Sequence, residues 1–389
     1  MNSRYDPELE MVRNTVRQIT KKYDRKYWRE RCEAGQPLTE MWEEIVRAGF
    51  LGAMIPEEYG GTGMGILGFA AVMEEFANQG INPPLVITCG MAGITIARHG
   101  SENQKRKYLP ALAEGRGTFC FSITEPNAGT NTFNIETVAH READGYRIRG
   151  RKIWTTGIDA TDHILLVART TPANKVKDRR EGLSLLVVDA KSTGIEINKL
   201  DSRILSPDKT YEVAYDDVLV PQENLIGIEG QGLRPMFDTL NPERVATALQ
   251  AAGLGRFALS RAVAYANTRT VFGDTPIGAY QGLSHPMARA KIHLELAAQM
   301  AWHAAEQFEA HADSRLVGQY ANMAKFAAAE AATEAVDIAI QVHGGLGFSG
   351  DIDLITMWPM VRSWQVAPVT REMVLNHVAE HVLGLPRSY

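Results

Sequence analysis

The chain has 389 residues, a formal charge of −5 and 45% hydrophobic residues, enough to bury a sizeable core and too long for a single one. Basic and acidic residues are interspersed, which excludes the one-sided positive footprint of a nucleic-acid binder. Three widely spaced cysteines (Cys32, Cys89, Cys120) without a C-x-x-C pair exclude a disulfide framework and a zinc site, and fit a reducing compartment.

In chain order, residues 7–47 carry an amphipathic helical period broken at Gly35 and Pro37. A turn-rich segment at 55–63 follows, then helical runs at 67–79 and 85–98. Ser101 and Gln104 have capping-box spacing for another helix. Near Phe119 the texture changes to short apolar and alternating runs (146–149, 163–168, 183–188, 211–215) separated by Gly and Asp. No helix-length segment lies between them, which predicts an antiparallel β barrel or sandwich. Residues 170–182 read as a surface loop. From Asn241 the helical period returns, with Ala-rich stretches at 287–312 and 317–342 read as core-packing helices. The domains predicted are 1–118, 119–230 and 231–389. The N-terminal residues 1–6 lack the apolar stretch of a secretory or transit peptide, and no apolar run is long enough to span a bilayer; a cytoplasmic protein is expected.

The stretch Leu240-Asn241-Pro242-Glu243-Arg244 reads locally as a helix start, with Asn241 as N-cap, Pro242 at the first helical position and Glu243 in the first turn, where the helix dipole favours a carboxylate. By local pattern alone that is a structural role.

Several segments in fixed order alter the reading: Ile123-Thr124-Glu125-Pro126-Asn127-Ala128-Gly129-Thr130, Lys152-Ile153-Trp154-Thr155-Thr156-Gly157, Arg269-Thr270-Val271-Phe272-Gly273 with Gln281, and Gln341-Val342-His343-Gly344-Gly345. Together they resemble the FAD-dependent acyl-CoA dehydrogenase family over essentially the whole chain. The resemblance implies an α+β, mainly α fold: an N-terminal helical domain, a middle antiparallel β-barrel or sandwich domain and a C-terminal four-helix-bundle domain. It implies FAD as cofactor, an acyl-CoA as substrate and an electron-transfer flavoprotein as acceptor, with a homotetramer, or at least a homodimer, as the assembly. Neither nucleic acid nor membrane is expected as a partner.

Carried onto this chain, the resemblance places Phe121, Ile123, Thr124 and Thr130 along the flavin, Trp154 against its ring and Thr156 near N5. Arg269, Phe272, Gln281, Gln341, Gly344 and Gly345 match positions that hold the ADP half, partly from a neighbouring subunit. Thr370 and Glu372 complete the cofactor set, and Thr130, Asn241 and Arg244 are the substrate-side positions. No G-x-G-x-x-G follows a strand, so a Rossmann site is not the route to the cofactor.

One departure bears on mechanism. Family members with a catalytic glutamate near the C-terminus carry it in a Y-E-G-T segment, and the matching residues here are Ala367-Pro368-Val369-Thr370. Pro368 neither abstracts a proton nor offers an N–H to the thioester carbonyl. Either the Val369 N–H serves or the carbonyl is held differently. A second group in the family draws its base from the helix after the β domain, and Glu243 matches that position. Pro359, where an Arg is usual, is a further departure. Glu243 is therefore expected to abstract the α proton while the β hydrogen leaves as hydride, giving a trans-2-enoyl-CoA. The alternative is a flavoprotein of the same fold with other chemistry: an acyl-CoA reductase, a desulfinase, or a flavin oxygenase or oxidase.

Overall fold

The computed structural model describes residues 3–387, so Met1 and Asn2 of the N-terminal reading lie outside the described residues. Six helices come first: α1 (Pro7–Lys22), α2 (Arg25–Ala34), α3 (Thr39–Arg47), α4 (Gly65–Asn78), α5 (Pro84–His99) and α6 (Glu102–Ala113). Their ends follow from local chemistry. Asp6 and Asp24 cap α1 and α2 with side-chain oxygens, and Gly35 closes α2 in the left-handed conformation. The capping box at Ser101 and Gln104 forms as its spacing predicts. α4 and α5 are apolar nearly all round and form the centre of this layer.

Eight strands follow: β1 (Phe119–Ser122), β2 (Val138–Glu142), β3 (Gly145–Thr156), β4 (His163–Arg169), β5 (Leu183–Asp189), β6 (Ile195–Lys199), β7 (Thr210–Pro221) and β8 (Leu225–Ile226). The pairing order is β6-β7-β3-β2-β4-β5-β8, antiparallel except where β4 meets β2 in a single parallel pairing, and β1 also joins β4 in parallel. β4 is buried on both faces. Leu165 and Val167 pack with the helices, while Ile164 and Leu166 join Cys120, Ile148 and Val213 in a second core within the sheet domain. All three cysteines are buried and unbridged.

Three long helices complete the main framework: α7 (Leu233–Thr268), α8 (Gln281–Glu309) and α9 (Ser314–His343). The short α10 (Trp358–Ser363) and α11 (Arg371–His377) follow. Alanines along α7, α8 and α9 let the backbones approach closely, and these residues form most of the bundle core.

The helix start expected at Asn241 is corrected by the structure. α7 begins at Leu233, so Asn241, Pro242 and Glu243 lie inside it and Asn241 is not an N-cap. The cost of an internal proline is overcome by packing: Pro242 and Asn241 are buried, and the Asn241 side chain bonds the Ser314 carbonyl at 3.2 Å.

The helical layers are joined by one buried carboxylate. Glu74 of α4 accepts from Arg256 of α7 at 2.8 Å, from Trp302 Nε1 of α8 at 2.9 Å and from Arg4 at 3.3 Å. Removing it leaves two guanidinium groups of low exposure with Glu295 as their shared carboxylate, and leaves the buried Trp302 N–H without its acceptor. Glu74→Ala is therefore expected to lower stability by about 2–4 kcal/mol in urea unfolding, whereas a loss below about 1 kcal/mol would show that Glu295 alone satisfies both arginines.

Candidate active site

Where the helical layers meet the sheet domain there is a cavity of about 500 Å³. Ile87 and Thr88 of α5, Thr156 at the end of β3, Glu243 of α7, Trp364 after α10, and Ala367 and Pro368 all line it. α5 is fixed against α7 by a 2.6 Å contact between the Thr95 and Thr239 hydroxyls and by Asp238, which meets His99 at 2.8 Å.

Glu243 reaches this cavity from the middle of a packed helix. Burial pushes its carboxyl up to about 7, against the pull of Arg244 beside it and Lys325 on α9. The helix N-terminus invoked from sequence is ten residues away and gives Glu243 no first-turn stabilisation; Lys325 supplies the second cation instead. Lys325 is itself buried, which lowers its ammonium to about 8, and it donates to the Val369 carbonyl, one residue past Pro368. A single lysine thus ties the segment carrying Pro368 to the helix facing Glu243.

Arg244 stands beside Glu243. Its Nη1 donates to Asn241 Oδ1 at 3.0 Å, while Nε is shut from solvent without a partner among the described residues. Asn241 is not among the cavity-lining residues; it orients Arg244 and ties α7 to the start of α9.

On the sheet side, Lys152 of β3 is fully buried and donates to the Ile123 carbonyl at 2.8 Å and to Glu125 at 2.9 Å. Burial lowers this lysine to about 8, against the attraction of Glu125. Glu125 also accepts from the Glu136 and Thr137 amides at 2.7 and 2.9 Å, and Ile153 N–H donates to the Thr124 carbonyl at 2.9 Å. Ile123 and Thr124 are therefore set rigidly beside β3. An irregularity in the β3–β7 register between Lys152 and Thr155 turns Trp154 to φ 65° and leaves its ring 58% exposed. A bulky residue at positive φ is strained, and the strain holds an indole open at the sheet surface. The Thr156 hydroxyl meets that of Thr210 at 3.3 Å.

The remaining expected residues fall elsewhere. Thr130 is exposed on the loop after β1. Thr370 caps α11 by accepting from Met373 N–H at 3.3 Å, and Glu372 pairs on the surface with Arg371. Arg269, Phe272, Gln281, Gln341, Gly344 and Gly345 are all exposed and sit at the end of α7, the start of α8 and the end of α9, where Tyr265 of α7 stacks on His343 of α9 at 4.5 Å. They do not line the cavity.

Three family models match in succession: the acyl-CoA dehydrogenase N-terminal domain over residues 6–116, the middle domain over 120–218 and the C-terminal domain over 230–383. The chain belongs to the acyl-CoA dehydrogenase family. It is 40% identical to the acyl-CoA dehydrogenase FadE12 of Mycobacterium tuberculosis, covering 98% of this chain and 97% of the relative. It superposes on the butyryl-CoA dehydrogenase of Megasphaera elsdenii with a TM-score of 0.88 at 28% identity, covering 95% and 96% of the two chains. A chain in a solved structure described as the electron transferring flavoprotein of Acidaminococcus fermentans gives a TM-score of 0.89 at 28% identity, covering 97% and 98%. The protein is an oxidoreductase of this family. Its cofactor is FAD, and the open Trp154 ring beside the fixed Ile123–Thr124 backbone and the Thr156 hydroxyl fits a flavin. Among the described residues no helix is long and apolar enough to cross a membrane.

Several supporting residues escaped the sequence reading. Lys152 was visible inside a motif, yet its ion pair with Glu125 depends on a tertiary approach across 27 positions. Lys325, within an Ala-rich helix, has no sequence mark separating it from a surface lysine.

The Glu243 carboxyl predicts a pH-dependent stability. Its folded value of about 7 exceeds its ordinary 4.5, so between those values the folded chain holds more protons than the unfolded one. Stability contributed by this group falls as pH rises through that window, and the penalty is complete above about 7. Glu243→Gln is expected to be more stable than the parent by on the order of 1–3 kcal/mol at about pH 8 and to lose that advantage at about pH 4. Urea titrations at both values test it; an advantage independent of pH would contradict it.

Proposed function

We propose that this enzyme oxidises an acyl-CoA to its trans-2-enoyl-CoA, with Glu243 as the base that removes the α proton. Glu243 matches the position from which the second group of the family draws its base, and its place in the lining of the cavity that Pro368 also lines carries the reading. A carboxyl poised near 7 is ionised often enough to accept a proton and basic enough to hold it. Bound FAD supplies the acceptor for the hydride that leaves the β carbon.

The chain's own residues divide the rest of the work. Pro368 offers no N–H to the thioester carbonyl, and the neighbouring Val369 N–H is the donor we assign in its place. Among the described residues that amide makes no hydrogen bond, and Lys325 fixes the carbonyl of the same residue. Arg244, oriented by Asn241, serves the CoA end. Trp154, Phe121, Ile123, Thr124, Thr130 and Thr156 form the flavin side, with Thr370 at the N-cap of α11 and Glu372 in its first turn completing it. Arg269, Phe272, Gln281, Gln341, Gly344 and Gly345 serve the ADP half of a neighbouring subunit's cofactor, so the enzyme works as a homotetramer or at least a homodimer. Their exposure at one end of the bundle, remote from this protomer's cavity, supports that assignment. An electron-transfer flavoprotein takes the two electrons onward, in keeping with the likeness to the Acidaminococcus structure.

Anaerobic mixing of the yellow enzyme with a panel of acyl-CoAs tests the reading. Bleaching with formation of enoyl-CoA is expected, with a rate that rises as pH passes about 7. Glu243→Gln should keep its flavin and bleach about 10²–10⁴-fold more slowly. Bleaching only by NAD(P)H or dithionite would replace the dehydrogenase reading with that of a reductase or oxygenase.

A further inference from the structure

Beyond the base, the α7 face that meets the cavity is polar. Glu243, Thr247 and Gln250 stand at i, i+4 and i+7, and all three line the cavity. Thr247 is 5% exposed and Gln250 1%. The helix rise sets them about 6 and 10 Å along α7 from Glu243, on the side away from Arg244's neighbour Asn241. Across from them lies Asn82, which precedes α5 and accepts from Gln250 Nε2, while its own Nδ2 reaches Met360 Sδ at 3.5 Å.

That pairing uses only half of the Gln250 amide. Among the described residues no group donates to Gln250 Oε1, and the Thr247 hydroxyl has no hydrogen-bond partner. Neither atom belongs to the buried polar atoms that are sealed without a partner, so both open onto the cavity. A plain alkyl chain laid along this face would strip them of water and return nothing. Sites with fixed polar groups reject ligands that leave those groups unpaired far more strongly than apolar pockets discriminate by size.

We propose that this enzyme selects an acyl group bearing a hydroxyl beyond its β carbon, with Gln250 Oε1 accepting from that hydroxyl and Thr247 Oγ1 donating to its oxygen. Asn82 is the positioning residue, holding the Gln250 amide so that its oxygen faces the ligand. Ile87, Met360 and Trp364 supply the apolar wall along which the carbon chain lies. This specificity rests on the dehydrogenase reading for its placement of the acyl chain beside Glu243, but its test does not require turnover.

The test measures dissociation constants anaerobically in the FAD-loaded Glu243→Gln background, which binds well before it bleaches and serves as the parent here. They are read from the shift of its flavin absorbance, using saturated acyl-CoAs and derivatives of equal length that carry one hydroxyl beyond the β carbon. For at least one hydroxyl position the derivative is expected to bind at least about tenfold more tightly than its parent. Gln250→Met and Thr247→Val, each checked for full FAD content, should bring that ratio to about one. If either variant fails to fold, the ratio in the parent enzyme still decides. Alkyl and hydroxyalkyl groups binding equally at every position, or the alkyl group more tightly, would overturn the proposal. Bleaching of the unsubstituted enzyme by the alkyl compounds with no hydroxyl preference would remove the specificity and leave the dehydrogenase; tighter hydroxyacyl binding without bleaching of the unsubstituted enzyme would do the reverse.

Discussion

A carboxylate carried by the middle of a packed helix is the constraint on which the rest of the structure depends. Taking Glu243 out of water raises the cost of its charge, and the cost is moderated by two cations, Arg244 and Lys325, that are themselves buried. Such a group needs its neighbours fixed, because a low-dielectric interior magnifies every displacement. Asn241 fixes Arg244, the Val369 carbonyl fixes Lys325, and the α7–α9 packing fixes the distance between their helices.

The same lysine connects Glu243 to the segment where other family members carry their glutamate. Pro368 lines the same cavity as Glu243, and the residue after it is held by Lys325. With Glu243 as the proposed base, the 365–370 segment is left with a positioning task, and the Val369 amide is the donor proposed for a thioester oxygen. On the sheet side the buried pair of Lys152 and Glu125 performs a parallel duty, Lys152 fixing the Ile123 carbonyl and Glu125 the Glu136 and Thr137 amides.

Much of this was legible in the residues. The helical, β, helical order followed from changes of periodicity, and the capping box at Ser101 and Gln104 formed where its spacing placed it. Glu243 was legible only through the resemblance, since its local pattern pointed to an ordinary helix start. That pattern misled because Asn-Pro-Glu is a good helix opening in isolation, whereas Leu233 to Thr239 also sustain a helix when α5 and α9 pack against it. Lys325 and Asn82 were not legible, because their roles arise from contacts between segments far apart in sequence. Gln250 lay between these cases: its spacing from Glu243 puts both on one face, but nothing short of the fold shows that this face meets a cavity.

Removal of the α proton can be watched without following the electrons. An α-deuterated acyl-CoA incubated anaerobically with the enzyme in ordinary water should lose its label to solvent when Glu243 is present, and should keep it with Glu243→Gln carrying a full complement of FAD. Label loss at the same rate in both proteins would contradict the assignment of Glu243 as the base.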